Sequence, residues 1–217
     1  MTRLARQILA LSPPHGLVND TVVANLYPAL STGALHALLH RAVASGELLR
    51  LRRGLYCLAA PLRRSTPHPF VVAAAILSPS HVSLETALWF HGLIPEATRE
   101  VASVIIERSR RFTTPLGTFS FATVKALEPR AGVTAIEIER GAWSFVAEPL
   151  RALADLVYLR PEVTWERDGP RFALESLRLE REALTGVSWK RCGEICASLR
   201  NRRVVDYLQG LRKELGR

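Results

Sequence analysis

A chain of 217 residues, 48% hydrophobic and 23% charged, is long enough for one large core or two small ones and too apolar to stay disordered. Its longest unbroken apolar run, FVVAAAIL at 70–77, falls well short of the roughly 20 residues that a membrane helix needs. The net charge of +9 is uneven: residues 1–65 hold eight arginines against Asp20 and Glu47, and residues 187–217 hold eight Lys or Arg against three acids, while the middle is nearly neutral. Charge of this kind speaks about partners rather than fold, and it makes a polyanion the expected partner of the N-terminal part.

In chain order, RLARQILAL (3–11) places Leu4, Ile8 and Leu11 at helical spacing, and SPPHG then stops the helix. A second short helix fits NDTVVANLY, capped by Asn19 or Asp20 and limited by Pro28. The third begins at the N-cap Ser31 and runs to Gly46, which suits the position after a helix end. Its apolar stripe is Leu35, Leu38, Leu39 and Ala42, while Thr32, His36 and His40 fall on another face with Arg41 at its edge.

Immediately after comes ELLRLRRGLYCL (47–58), in which Leu and Arg alternate with the period of a strand. With Arg53 and Gly54 as turn residues, Arg52 pairs with Leu55, Leu51 with Tyr56, Arg50 with Cys57 and Leu49 with Leu58. Leu49, Leu51, Tyr56 and Leu58 then share one face, and Arg50 and Arg52 the other, with Arg53 at the tip. By itself this could be an ordinary hairpin with solvated arginines. Three short helices followed at once by a hairpin, however, is the order of a winged helix-turn-helix, whose third helix enters the major groove and whose hairpin is the wing. On that reading Thr32 and His36 are the base readers. Ser31, His40 and Arg41 belong to the phosphate backbone, and Arg50, Arg52 and Arg53 to phosphates or the minor groove.

Residues 60–69 (APLRRSTPHP) are proline-rich and polar, as a linker would be. A helix follows over about 69–77, then a turn and a second helix capped at Ser83, with Glu85 in its first turn and Gly92 as its stop. Strands are expected at 101–107, 117–124, 133–139 and 142–147. Helical periodicity returns in EPLRALADLVYL (148–159) and is expected at about 170–184, 188–199 and 201–215. The fold class is therefore α+β: an N-terminal winged helix-turn-helix over 1–60, a linker over 61–69, and over 70–217 a mixed α/β domain with a small sheet and C-terminal helices.

This organisation resembles the AbiEi family of antitoxins and transcriptional regulators of type IV toxin-antitoxin systems. The matching stretches are ELLRLRRGLYCL, ILSPSHVSLETALWFHGL and FVAEPLRALADLVYL, in that order over about residues 20–160. The resemblance implies an N-terminal domain that binds the promoter of its own operon, often at inverted repeats with two DNA-binding domains per site. It also implies a C-terminal domain that neutralises a cognate nucleotidyltransferase-like toxin, as part of abortive phage infection.

Other chemistry finds little support. His36 and His40 have the i, i+4 spacing of a helical metal pair, but no third ligand is evident, so no metal is expected. Cys192 and Cys196 complete a stripe with Ile195 and Leu199 and read as core. The odd number of cysteines agrees with reduced thiols. Only four Asp are present, at 20, 155, 168 and 206, and Glu137 and Glu139 alternate as solvent-facing residues do. No catalytic site and no cofactor are expected, which leaves a metal-dependent nuclease or nucleotidyltransferase as the weaker alternative and a protein- or RNA-interaction module as the stronger one. The segment MTRLARQILALSPP has no export region, so a cytoplasmic, membrane-free location is expected. The C-terminal helix, with Val204, Val205, Leu208 and Leu211 on one stripe, reads as a packing helix, with a dimer or nucleic-acid contact as its alternative.

Overall fold

The computed structural model describes residues 1–95 and 98–216, so Glu96, Ala97 and Arg217 of the expected 70–217 domain lie outside the described residues. The chain divides into two compact units, one of Met1–Ser78 with Phe112–Thr118 and the other of Pro79–Arg111 with Phe119–Arg217.

The first unit runs α1 (Arg3–Leu11), β1 (Leu17–Asn19), α2 (Asp20–Leu26), α3 (Thr32–Ala44), β2 (Leu48–Arg52), β3 (Leu55–Leu58) and α4 (Pro69–Ile76). Each of the first three helices begins where a side chain satisfies an otherwise orphaned backbone N–H. Ala5 N–H donates to Thr2 Oγ1 at 3.2 Å, Val22 N–H to Asn19 Oδ1 at 2.9 Å and Ala34 N–H to Ser31 Oγ at 3.3 Å. Leu4, Ile8, Val23, Leu35 and Leu39 then bury their stripes in one core with Leu48 and Leu58 of the hairpin. The segment expected as a linker contains a 3-10 turn at Ala60–Leu62, and α4 is grouped with the first unit.

Two features of this unit differ from the sequence expectation. First, β1 pairs antiparallel with β3 and makes a three-stranded sheet of order β1-β3-β2; three residues are too few to show an alternation. Second, the hairpin register holds only at its tip. Arg52 pairs with Leu55, but a bulge follows, so that Arg50 opposes Tyr56, Leu49 opposes Cys57 and Leu48 opposes Leu58. Leu51 is the extra residue. An inserted residue resets the alternation, which lets Leu48 and Leu51, three apart, both be buried. It also takes Cys57 off the outer face and makes it fully buried.

The rest of the chain contains β4 (His81–Val82), α5 (Leu84–Phe90), β5 (Val101–Ile105), β6 (Arg110–Thr114), β7 (Gly117–Thr123), β8 (Val133–Glu139) and β9 (Ala142–Ala147), with the Phe112–Thr118 stretch of β6 and β7 grouped with the first unit and the remainder with the second. It continues with α6 (Pro149–Leu159), α7 (Trp165–Asp168), α8 (Arg181–Gly186), α9 (Cys192–Leu199) and α10 (Arg202–Glu214). The strands form a mixed sheet of order β6-β7-β5-β4-β9-β8, with β5 parallel to β7 and β4 parallel to β9. α6 packs against α5 and α10, and it is buried on every side from Leu150 to Val157.

The expected single helix at 170–184 is instead a π-turn over Phe172–Ser176, an interruption, and the short α8. The interruption contains Arg178 at φ +55°, outside helical space. At the C-terminus, α10 buries Val204, Tyr207, Leu208 and Leu211. Arg203 reaches from it to the end of α6 and donates to the carbonyls of Val157, Tyr158, Arg160 and Val163. A cation there satisfies carbonyls that the helix cannot and suits the negative end of its dipole. Among the described residues no helix is long and apolar enough to cross a membrane.

Candidate nucleic-acid interface

The bulge at Leu51 decides what the wing presents. Because directly opposed residues of an antiparallel pair point to the same side, Arg50 and Tyr56 face together. They look onto α3, where His36 and His40 lie one turn apart and exposed. Between α3 and the hairpin is an open groove of about 440 Å³ whose walls include His36, His40, Arg50, Arg53, Tyr56 and Asp20. Arg50 and Arg53 are exposed, and neither has an ion-pair partner among the described residues.

The hairpin tip is set by Gly54, at φ +76°, which a side chain would strain and also crowd: a Cβ here would lie 2.8 Å from Asp20 Oδ2. Asp20 N–H donates to Gly54 O at 3.2 Å, which ties the start of α2 to the wing tip. The Asp20 carboxylate therefore stands in an otherwise cationic groove. Sequence reasoning saw Asp20 only as a helix cap and Tyr56 only as core, since their meeting depends on the hairpin register.

Of the eight residues expected to contact DNA, the groove brings together His36, His40, Arg50 and Arg53. Thr32 is exposed as the first residue of α3, and Ser31 is the residue that caps it. Arg41 is exposed in the last turn of α3, away from the groove. Arg52 turns elsewhere: its Nε donates to the carbonyl of Ile76, the last residue of α4, at 2.6 Å, and its Nη1 to Arg53 O at 2.7 Å. Two of its five N–H donors are thus engaged, and the bond to Ile76 holds the side chain toward α4.

The second unit instead buries one charged pair. Arg151 and Asp155 of α6 are both 0% exposed and joined Nε to Oδ1 at 2.8 Å. Arg151 Nη1 donates to Ala131 O at 2.5 Å, and Ser83 Oγ donates to Asp155 Oδ2 at 2.7 Å. His81 Nε2 lies 3.6 Å from the same oxygen. Burial alone would raise the Asp155 carboxyl, but the Arg151 charge, the adjacent His81 ring and the bond from Ser83 bring it below the usual range, so it is ionised. Burial lowers the His81 imidazole further than Asp155 can raise it, so it is neutral. Among the described residues no three His, Cys, Asp or Glu converge as metal ligands would.

Three helices, a short first strand and a ribbon whose free arginines flank the third helix define the winged helix-turn-helix class of DNA-binding proteins. Within that class, residues 25–59, from α2 to the end of the wing, match the family described as transcriptional regulator, AbiEi antitoxin. The match covers that segment alone, and over it the chain is similar to AbiEi-type transcriptional regulators. The whole fold is similar to the crystal structure of the RV2827C protein from Mycobacterium tuberculosis, at a TM-score of 0.51 and 14% identity over 97% of this chain and 79% of that one. At that identity the likeness concerns fold alone. None of the curated proteins matches the chain.

Proposed function

We propose that the protein is a non-enzymatic, cytoplasmic repressor and antitoxin that binds duplex DNA in the promoter of its own operon and occludes it. Two copies would occupy an inverted repeat, with half-sites about 34 Å apart, one turn of the duplex. The N-terminal region would bind DNA and the C-terminal region would neutralise a nucleotidyltransferase-like toxin. α3 would enter the major groove with Thr32 and His36 toward the bases, while Ser31, His40 and Arg41 reach the backbone. Arg50 and Arg53 would hold the flanking phosphates, with Arg52 in a lesser part because it is already bonded to Ile76.

The observation that carries this reading is the pair of unpartnered guanidiniums, Arg50 and Arg53, opposite the exposed histidines of α3 across an open groove. If about six phosphates are contacted, log affinity should fall with log salt at a slope of roughly −5, by counterion release. Fluorescence anisotropy on the protein's own upstream DNA, titrated at several salt concentrations, tests it. The expected result is salt-sensitive binding that R50A with R53A weakens strongly. Binding indifferent to salt and to both substitutions would favour a protein- or RNA-interaction module instead.

A further inference from the structure

The second unit holds a cavity of about 200 Å³ at the carboxyl ends of the parallel pair β5 and β7, where Ile105 ends β5 and Val124 follows β7. Ends of this kind are where open α/β sheets bind ligands. The walls are of two chemistries. Val104, Ile105 and Val124 are apolar, while His81, Arg130 and Arg151 are cationic or polar. A space of this size suits a small metabolite rather than a drug-sized ligand.

The polar side is incompletely satisfied. Arg151 Nη2 is buried and has no hydrogen-bond partner, although the other nitrogens of that guanidinium are all engaged. His81 Nε2 is likewise buried without a hydrogen bond. Buried donors of a cation are seldom left unpaired. Arg130 stacks its guanidinium 3.6 Å over the Phe145 ring and donates to Ser80 O at 3.1 Å, and no acid pairs with it among the described residues.

The charge balance selects the ligand. Asp155 neutralises Arg151 and His81 carries no charge, so Arg130 leaves the cavity with one uncompensated positive charge. A monoanion balances it, whereas a phosphate dianion would bring surplus negative charge against apolar walls. We infer that this cavity binds a small organic monocarboxylate, its head between Arg130 and Arg151 and its short apolar tail against Val104, Ile105 and Val124. This inference does not depend on DNA binding.

Isothermal titration of the full chain with 3-methylbutanoate, 3-methylbutanamide and inorganic phosphate tests it, with thermal unfolding as a check on folding. The expected result is saturable one-to-one binding of 3-methylbutanoate, with the amide and phosphate weaker by about tenfold or more. R130L should weaken the carboxylate by a similar factor. I106W, at the half-exposed rim, should block entry without touching the buried pair, and it decides the matter if R130L fails to fold. The inference is overturned if millimolar 3-methylbutanoate does not bind saturably, if the amide or phosphate binds as well, or if folded R130L or I106W binds it unchanged.

Discussion

In the first unit Arg50 and Arg53 stand exposed beside α3 with no acid paired to them, whereas in the second Arg151 is fully buried and commits Nε to Asp155 and Nη1 to a backbone carbonyl. The same side chain thus has opposite consequences. An exposed guanidinium keeps its hydration, costs the fold little and remains available to a phosphate. A buried one has lost that hydration, and only the compensating carboxylate and carbonyl make its position tolerable. Arg52 lies between the two cases, on the wing but bonded to the end of α4. Charge at the protein's surface is therefore best read as partner chemistry in the first unit, and charge inside the second as a condition of its folding.

The sharpest way to break this contrast is at the buried pair. D155A should lower unfolding free energy by about 3–5 kcal/mol, because it strands Arg151 without its counterion. Urea unfolding followed by tryptophan fluorescence reports it cleanly, since Trp89, Trp143, Trp165 and Trp189 all belong to the second unit. A loss under 1 kcal/mol would show that Asp155 does not hold the charge.

The exposed pair should respond in the opposite sense. R50A with R53A should leave the urea midpoint in place, here followed by far-UV circular dichroism because all four tryptophans lie in the second unit, yet weaken DNA binding by about 2 kcal/mol and make the salt slope shallower by about 2. A shifted midpoint with unchanged binding would reverse the assignment of roles.

A third variant tests packing rather than charge. G210A improves helix propensity in α10 by about 1 kcal/mol, but its Cβ would lie 2.1 Å from the Trp165 ring. The crowding should outweigh the propensity and give a net destabilisation of about 1–2 kcal/mol, with the tryptophan emission altered as Trp165 is displaced. A stabilised variant would mean that Trp165 moves aside freely.

The smallest effect is that of pH. His81 has a folded pKa below its unfolded value near 6.5 because burial disfavours its charge. The unfolded chain therefore takes up the proton first, and stability present above about pH 6.5 is lost as pH falls toward the folded value, at no more than about 1.4 kcal/mol per pH unit. Asp155, also lowered, adds a separate loss below about pH 4. Urea midpoints between pH 7.5 and 5 should decline in the natural protein and flatten in H81Q; a flat profile in both would contradict a neutral buried imidazole.

Much of the fold follows from rules that act within one turn of chain. Asn19 and Ser31 start their helices as their side-chain oxygens require, α1 spans the residues its periodicity marks, and the later strands lie close to where alternation places them. The Arg53–Gly54 turn is of the same kind, and so is the presence of exposed arginines on a wing beside a third helix.

What the tertiary structure alone decided is how each side chain is used. The three-residue β1, the turning of Arg52 to Ile76 and the meeting of His81, Ser83, Arg151 and Asp155 bring together residues far apart in the chain, and the bulge at Leu51 follows from the packing of the hairpin on the core. Periodicity and capping are local properties of the backbone and its nearest side chains. Pairing, desolvation and charge compensation belong to neighbours that exist only once the chain has folded.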